Sequence, residues 1–281
     1  MIYGDYRIEI IPDTEFRLDG GAMFGVVPRV LWERVSPPDE SNRIRLNMNC
    51  VFIENGKHRI IIETGIGEKW NEKEIAMYGI SRQKSFSQSL REITGYNPAD
   101  ITIVVNTHLH FDHSGGNTVR IDNEVRPQFP NATYFISKTE FEHAENPSER
   151  DRASYLTENW RPMLQSGQIR MMEDTYQPIP GLFIQKVRGH SETMQTWRLE
   201  TKEKTFYGFA DLIPTRHHLR PAWIAGYDLF PMETLEFKKT ILPRAVSEKW
   251  LCLLYHDPDL PLAEIRHDGK TFHAVPPDYT N

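Results

Sequence analysis

Short apolar segments recur along the chain of 281 residues and are separated by polar stretches. Each segment is four to six residues long and rich in Ile, Val, Phe or Tyr. This length and composition predict buried strands. The predicted strands are Cys50–Glu54, Arg59–Glu63, Ile101–Asn106, Thr133–Ile136, Phe183–Val187, Phe206–Ala210 and Leu251–Tyr255.

Helical patterns lie between some of these strands. Ser85–Thr94 carries apolar residues at helical spacing and is followed by Gly95, which predicts a helix that ends there. Ser137–Glu140 has the pattern of a capping box at the start of a second helix. Met232–Leu242 predicts a third helix, with Pro243 at the first position of a fourth. The mixture of strands and helices predicts a layered α/β fold.

The composition narrows the class of protein. Lys and Arg number 33 and Asp and Glu 39, so the formal net charge of −6 argues against a nucleic-acid partner. The two cysteines, Cys50 and Cys252, cannot form a disulfide framework and are expected in the core. We see neither a signal peptide nor a run long enough to span a membrane, so we expect a cytoplasmic protein without a membrane partner. No change in composition marks a linker, and we expect a single domain over residues 1–281.

The strongest chemical signal follows the predicted strand Ile101–Asn106. Within six residues lie three histidines and one aspartate, at positions His108, His110, Asp112 and His113. Imidazole and carboxylate are both zinc ligands, and imidazole also suits iron and nickel. Because loops at strand ends commonly carry reactive groups, this segment predicts a metal site.

Three other predicted strands are also followed by a histidine or an aspartate, the residue types of this motif. His190 follows Phe183–Val187, Asp211 follows Phe206–Ala210, and His256 follows Leu251–Tyr255. A single histidine after a strand is usually structural. Three such coincidences beside the motif indicate instead that these side chains belong to the same metal site.

This order of motifs, an HxHxDH segment followed by a lone His, an Asp and a last His, resembles that of the metallo-β-lactamase superfamily. The resemblance covers about residues 50–256 and implies an αββα sandwich with metals at one edge of the two sheets. It also implies two groups of ligands: His108, His110 and His190 for one metal, Asp112, His113 and His256 for the second, and Asp211 as the bridge between them.

A bridging Asp211 resembles the glyoxalase II-like and lactonase-like hydrolases rather than the true β-lactamases, which typically have Cys there. The resemblance implies an enzyme in which a metal-bridged hydroxide attacks the carbonyl of a lactone or carboxylic ester. Asp112 would pass the proton toward the leaving group. We expect two divalent ions, with zinc as the default and Fe, Mn, Ni or Co also compatible. Glu63 stands where the family usually has Asp and is expected to support a ligand histidine.

Candidate substrate contacts come from two segments. The glycine-rich stretch Asp19–Pro28 resembles an N-terminal loop that borders the active site in the lactonase-like and organophosphate-hydrolase-like branch. The alternative is a turn that packs into the core. Ile213–Pro231 is long and lacks periodicity, as functional loops often do, although adjacent histidines there commonly face solvent. The candidates are Met23, Phe24, Trp32, His217, His218 and Tyr227. Quorum-quenching lactonases typically place Tyr where this chain has Pro214.

Several alternatives remain open at this point. The same chemistry could cleave a phosphotriester, and some relatives are mononuclear iron persulfide dioxygenases. A nuclease of the superfamily would need a basic groove, which the net charge disfavours. Flavodiiron-like relatives have Glu in place of His110 and carry a flavodoxin domain. We expect a small-molecule substrate, and a homodimer is compatible with the sequence.

Overall fold

The structure, a computed structural model, describes residues 1–278. The strands, in chain order, are β1 (Ile2–Tyr3), β2 (Tyr6–Asp19), β3 (Arg43–Glu54), β4 (Arg59–Ile62), β5 (Ile103–Val105), β6 (Thr118–Ile121), β7 (Glu124–Pro127), β8 (Thr133–Ser137), β9 (Ile169–Met172), β10 (Thr175–Ile179), β11 (Leu182–Lys186), β12 (Gln195–Glu200), β13 (Thr205–Gly208), β14 (Leu251–Leu253), β15 (Leu262–His267) and β16 (Phe272–Val275). The α-helices are α1 (Gly20–Phe24), α2 (Arg29–Trp32), α3 (Glu72–Tyr78), α4 (Phe86–Thr94), α5 (Phe111–Ser114), α6 (Lys138–Glu145), α7 (Arg161–Gln165) and α8 (Pro231–Ser247).

Two sheets of seven strands each form the centre of the fold. The first has the order β1-β2-β3-β4-β5-β8-β9, and the second runs from β10 to β16 in sequence order. β4, β5, β8 and β9 pair in parallel, as do β13 and β14, so the carboxyl ends of the strands within each set point the same way. Buried side chains from both sheets belong to one apolar cluster. The predicted α/β class is therefore confirmed.

Polar contacts join the two sheets at one edge. The backbone N–H of Asn49, on β3, donates to the carbonyl of Tyr255, beyond β14, at 2.9 Å. The Asn49 side chain donates to the carbonyls of Leu254 and Asp257 at 3.2 and 2.9 Å. The backbone N–H of Gln195, on β12, donates to the carbonyl of Thr107 at 2.8 Å. Two of the loops that carry predicted metal ligands are therefore each fastened to a strand of the opposite sheet.

Within residues 1–278, the sequence patterns located seven of the sixteen strands and three of the eight α-helices, and they misjudged where one helix ends. Helix α4 begins after Ser85, whose side chain caps it, and Gly95 ends it in a left-handed conformation, as predicted. Strand β2 was missed because a shift in its register interrupts the alternation of buried and exposed residues. The break predicted at Pro243 is wrong, since α8 continues through it. Leu242 and Ala245 on either side are buried, and this packing outweighs the lost backbone hydrogen bond.

The stretch Asp19–Pro28 is not simply a loop. It contains helix α1, and the Asp19 carboxylate caps this helix by accepting from the N–H of Ala22 at 2.8 Å. Within residues 1–278, no helix is long and apolar enough to cross a bilayer.

The turn after the HxHxDH segment fits only glycine at Gly116. A Cβ there would lie 2.1 Å from the carbonyl oxygen of Thr64, two residues beyond the end of β4. We expect Gly116→Ala to lower the free energy of unfolding by about 3 kcal/mol, because backbone atoms must move. Gly56→Ala is the control, since its Cβ would meet nothing and only the positive φ costs about 1–2 kcal/mol. Thermal unfolding of both variants measures the difference, and an equal loss would contradict the close approach.

Candidate metal centre

The predicted ligands come together at the ends of strands. His108 and His110 follow β5, His190 follows β11, Asp211 follows β13 and His256 follows β14. Asp112 and His113 lie on the short helix α5, directly after the first two histidines. All seven residues are buried. Rigid strands therefore position each ligand loop, although the first and last candidate ligands, His108 and His256, are 148 residues apart in sequence.

Three histidines form the first group of potential ligands. His108, His110 and His190 each offer a ring nitrogen, and these atoms lie within 4.8 Å of one another. The Nδ1 atom of His110 is 3.2 Å from Nε2 of His190. Such an arrangement provides three of the four ligands of a tetrahedral site.

The second group contains Asp112, His113, Asp211 and His256, with ligand atoms that also lie within 4.8 Å of one another. Nε2 of His113 and Nε2 of His256 are each 3.1 Å from Oδ1 of Asp211. The other oxygen of Asp211, Oδ2, is 3.4 Å from Nε2 of His190 and 4.0 Å from Nε2 of His108. One carboxylate therefore presents one oxygen to each group.

The donor set fits divalent cations. The buried Nε2 atom of His108 has no hydrogen-bond partner in the described structure, although such atoms are normally satisfied. Burial, and then the charges of His113 and His110, hold the pKa of His108 well below its usual range, so its ring is neutral. Burial opposes ionisation of Asp211, but His113, His256 and His190 hold its pKa well below the usual range. His108 and Asp211 therefore have the neutral imidazole and ionised carboxylate forms that bind metals.

Two buried carboxylates stand behind ligand histidines. Oδ1 of Asp228 is 3.0 Å from Nδ1 of His190, and Oδ2 of Asp228 accepts from Thr234 at 2.7 Å. Glu63 accepts from the N–H of Thr107 at 3.0 Å, and its Oε1 is 3.5 Å from Nδ1 of His113. Glu63 thus lies where the sequence predicts its supporting role. Such partners orient a ligand ring and raise its basicity.

A third buried carboxylate, that of Glu140, forms a hydrogen bond with the backbone of the HxHxDH motif. Ser137 caps α6 by accepting from the N–H of Glu140 at 3.3 Å, as predicted. The Glu140 side chain does not complete the capping box. It accepts instead from the N–H of Leu109, between the two motif histidines, at 2.6 Å, and from the hydroxyl of Thr193.

A cavity of about 430 Å³ opens onto both ligand groups. Asp112, His110, His190, Asp211 and His256 form its base. Its walls are largely apolar and include Leu18, Ala22, Met23, Phe111, Pro214, Ala225 and Leu229. The polar wall residues are Tyr78, Arg150, Asp151, Ser154 and Tyr227. An apolar cavity with a few polar groups and a metal site at its base is typical of a small-molecule site.

A profile of the metallo-β-lactamase superfamily matches residues 44–181, the part that contains the HxHxDH motif. A probable metal-dependent hydrolase from Staphylococcus aureus superposes over 99% of both chains with a TM-score of 0.90 and 28% identity. The chain is similar to the metallo-β-lactamase superfamily over residues 44–181. The predicted αββα fold and the recognition of the family are confirmed.

Other superfamily relatives are lactonases by name. An N-acyl homoserine lactonase from Bacillus cereus is 28% identical over 171 residues, which are 58% of this chain and 62% of that protein. One from Bacillus thuringiensis is 26% identical over 235 residues, 76% of this chain and 82% of the relative. AidC, a dizinc quorum-quenching lactonase, shares the fold with a TM-score of 0.80 over 100% of this chain and 97% of AidC, at 19% identity. The prediction that the chain is a metallohydrolase is confirmed. Its substrate remains a prediction.

The predicted substrate contacts need correction. Met23 and Tyr227 line the cavity, but Phe24, Trp32, His217 and His218 do not. Phe24 is stacked between Trp32 and His218, with ring centroids 5.4 and 4.8 Å away, and all three are buried. The apolar character that suggested a wall comes from packing behind it.

The two adjacent histidines also have structural surroundings. His218 is near the carbonyl of Met23 at 2.8 Å and the hydroxyl of Thr215 at 2.8 Å. Burial lowers the pKa of His218 to about 3, so it carries no charge toward a substrate. His217 is half-buried outside the cavity lining.

Residues that the sequence did not reveal complete the site. Asp228, Arg150 and Tyr78 belong to no motif and lie far along the chain from the residues they approach. Asp228 does lie in the long segment Ile213–Pro231, whose lack of periodicity was the one available signal.

Asp228 contacts His190, so its replacement should affect metal binding by the group of His108, His110 and His190 more than by the other group. We expect Asp228→Asn to weaken one of the two metal-binding steps about 10- to 100-fold, because the replacement removes the negative charge behind His190. Competition with a chromogenic chelator measures both steps. Asp122→Asn, in the exposed turn after β6, is the matched control. An equal weakening of both steps, or none, would contradict a specific role at His190.

Proposed function

We propose that the chain is a dinuclear metal-dependent hydrolase that opens lactones or cleaves carboxylic esters. The observation that carries the proposal is the position of Asp211, whose two oxygens approach different groups of histidines. A site for one ion would not need a carboxylate shared in this way. The names of the lactonase relatives favour the lactone among the substrates of such a site.

Each ion would have its own ligand set. His108, His110 and His190 would hold one ion, Asp112, His113 and His256 the second, and Asp211 would be shared. When bound, two divalent cations lower the pKa of water and polarise a carbonyl oxygen, the chemistry that ester hydrolysis needs. Zinc is the default for three histidines with carboxylates, and the same ligands also accept Fe, Mn, Ni or Co.

The chain's own residues supply positioning and proton transfer. The apolar walls formed by Leu18, Met23 and Leu229 would hold the acyl part of a substrate above the ligands. Asp112 belongs to the ligand set and also lines the cavity, so its carboxylate can take up a proton and return it to the leaving alkoxide. The cavity suits a small-molecule substrate, as the sequence predicts.

Purified protein should hydrolyse a γ-lactone and an aryl ester of a carboxylic acid. We expect chelation to abolish both activities and added metal to restore them. Asp211→Asn should lower kcat/KM at least about 100-fold, because removing an electrostatic group of an active site typically costs that much. Asp5→Asn is the control, since this carboxylate is 78% exposed on the surface.

The same assay separates the competing functions. An aryl phosphotriester tests whether phosphorus is the preferred centre, since the same site chemistry can serve both reactions. Faster hydrolysis of the phosphotriester than of either carboxylic substrate would replace the lactone and ester assignment. Oxygen uptake with a thiol persulfide, by protein with one iron per chain and no hydrolysis, would overturn the proposal.

A further inference from the structure

One polar segment, residues 146–156, reaches the cavity from outside the motif elements. It follows helix α6, and Arg150, Asp151, Ala153 and Ser154 line the cavity wall. Nothing in its sequence resembles a metal or catalytic motif. The side chains of this segment that line the wall could therefore contact the substrate.

The backbone around Arg150 is fixed by its neighbours. Asp151 is 2.7 Å from Nε2 of His143 through one carboxylate oxygen and accepts from the Ser148 hydroxyl at 2.6 Å through the other. The N–H of Arg152 donates to the carbonyl of Ser148 at 3.0 Å. Because both sides of Arg150 are held, its side chain starts from a defined position at the cavity.

The guanidinium of Arg150 is only partly satisfied. Nη2 donates to the carbonyl of Gly226, on the opposite loop, at 2.7 Å. Among residues 1–278 it forms no ion pair, since Glu149 pairs with Arg152 at 3.8 Å and Asp151 is engaged by His143 and Ser148. A guanidinium has five N–H donors, so most of those on Arg150 remain available.

The surroundings favour an anion as the missing partner. The wall near the ligands is largely apolar, and the carboxylates at the base, Asp112 and Asp211, belong to the ligand groups. A guanidinium binds a carboxylate through two parallel hydrogen bonds, which a neutral carbonyl cannot form. A substrate that carries both a scissile carbonyl and a carboxylate could contact the ligand groups and Arg150 together, because both line this cavity.

We propose that Arg150 is a specificity-determining residue that selects lactones or esters whose acyl chain carries a carboxylate. This inference rests on the proposed hydrolase function. The hydrogen bond from Arg150 to Gly226 joins two residues of the cavity wall and positions the guanidinium there, and the substrate carboxylate takes the remaining donors.

Two para-nitrophenyl esters of equal chain length test the inference: the pentanoate, which is neutral, and the monoester of glutaric acid, which is anionic. We expect Arg150→Met to lower the ratio of kcat/KM for the anionic over the neutral ester by about 10- to 100-fold, because a hydrogen bond to a charged group contributes about 1.5–3 kcal/mol. The loss should lie mainly in KM, and Arg150→Lys should restore part of it. Arg152→Gln, 63% exposed, is the control.

The outcomes are distinguishable. Equal loss on both esters, with a lower melting temperature, would mean that Arg150 only fastens the two loops together, and the inference would be wrong. An unchanged ratio would overturn it as well. Hydrolysis of neither ester nor lactone by the metal-loaded wild type would instead reject the proposed hydrolase function.

Discussion

The buried carboxylate of Asp211 is the interaction on which the site depends. Burying a charge is costly unless opposite charge or a metal compensates it. Here His113 and His256 approach one oxygen at 3.1 Å each, and His190 approaches the other at 3.4 Å. The ligand loops are therefore drawn to one point, and cations placed there would complete the compensation.

The fold supplies this convergence because strands from both sheets end at the same edge. Cross-sheet bonds from Asn49 fasten the loop of His256 to β3. Backbone strain lies at the same place: Glu63 and Ala210 are non-glycine residues with φ values of 62° and 48°. Such conformations persist only where the surrounding structure enforces them, and they occur beside functional sites. Asp228 and Glu63 then orient the ligand rings from behind.

The convergence of the candidate ligands could be predicted from the sequence because its signal is local: His or Asp follows the end of a short apolar strand. The sequence could not reveal contacts made by distant, unpatterned residues. Arg150 and Asp228 are 76 positions from Gly226 and 38 from His190, and neither lies in a motif. The sequence also does not show whether an apolar residue lines a cavity or packs behind its wall, and Phe24 is an example of the second case. The single-domain organisation, the homodimer and the cytoplasmic location remain predictions.

Anomalous diffraction tests the central claim most directly. Crystals of protein purified without chelators would be measured at the zinc and iron absorption edges. The account predicts two peaks of equal occupancy, one among His108, His110 and His190 and one beside His113 and His256, with Asp211 contacting both. A single peak at full loading, or two peaks of which only one contacts Asp211, would contradict the shared carboxylate and with it the dinuclear site.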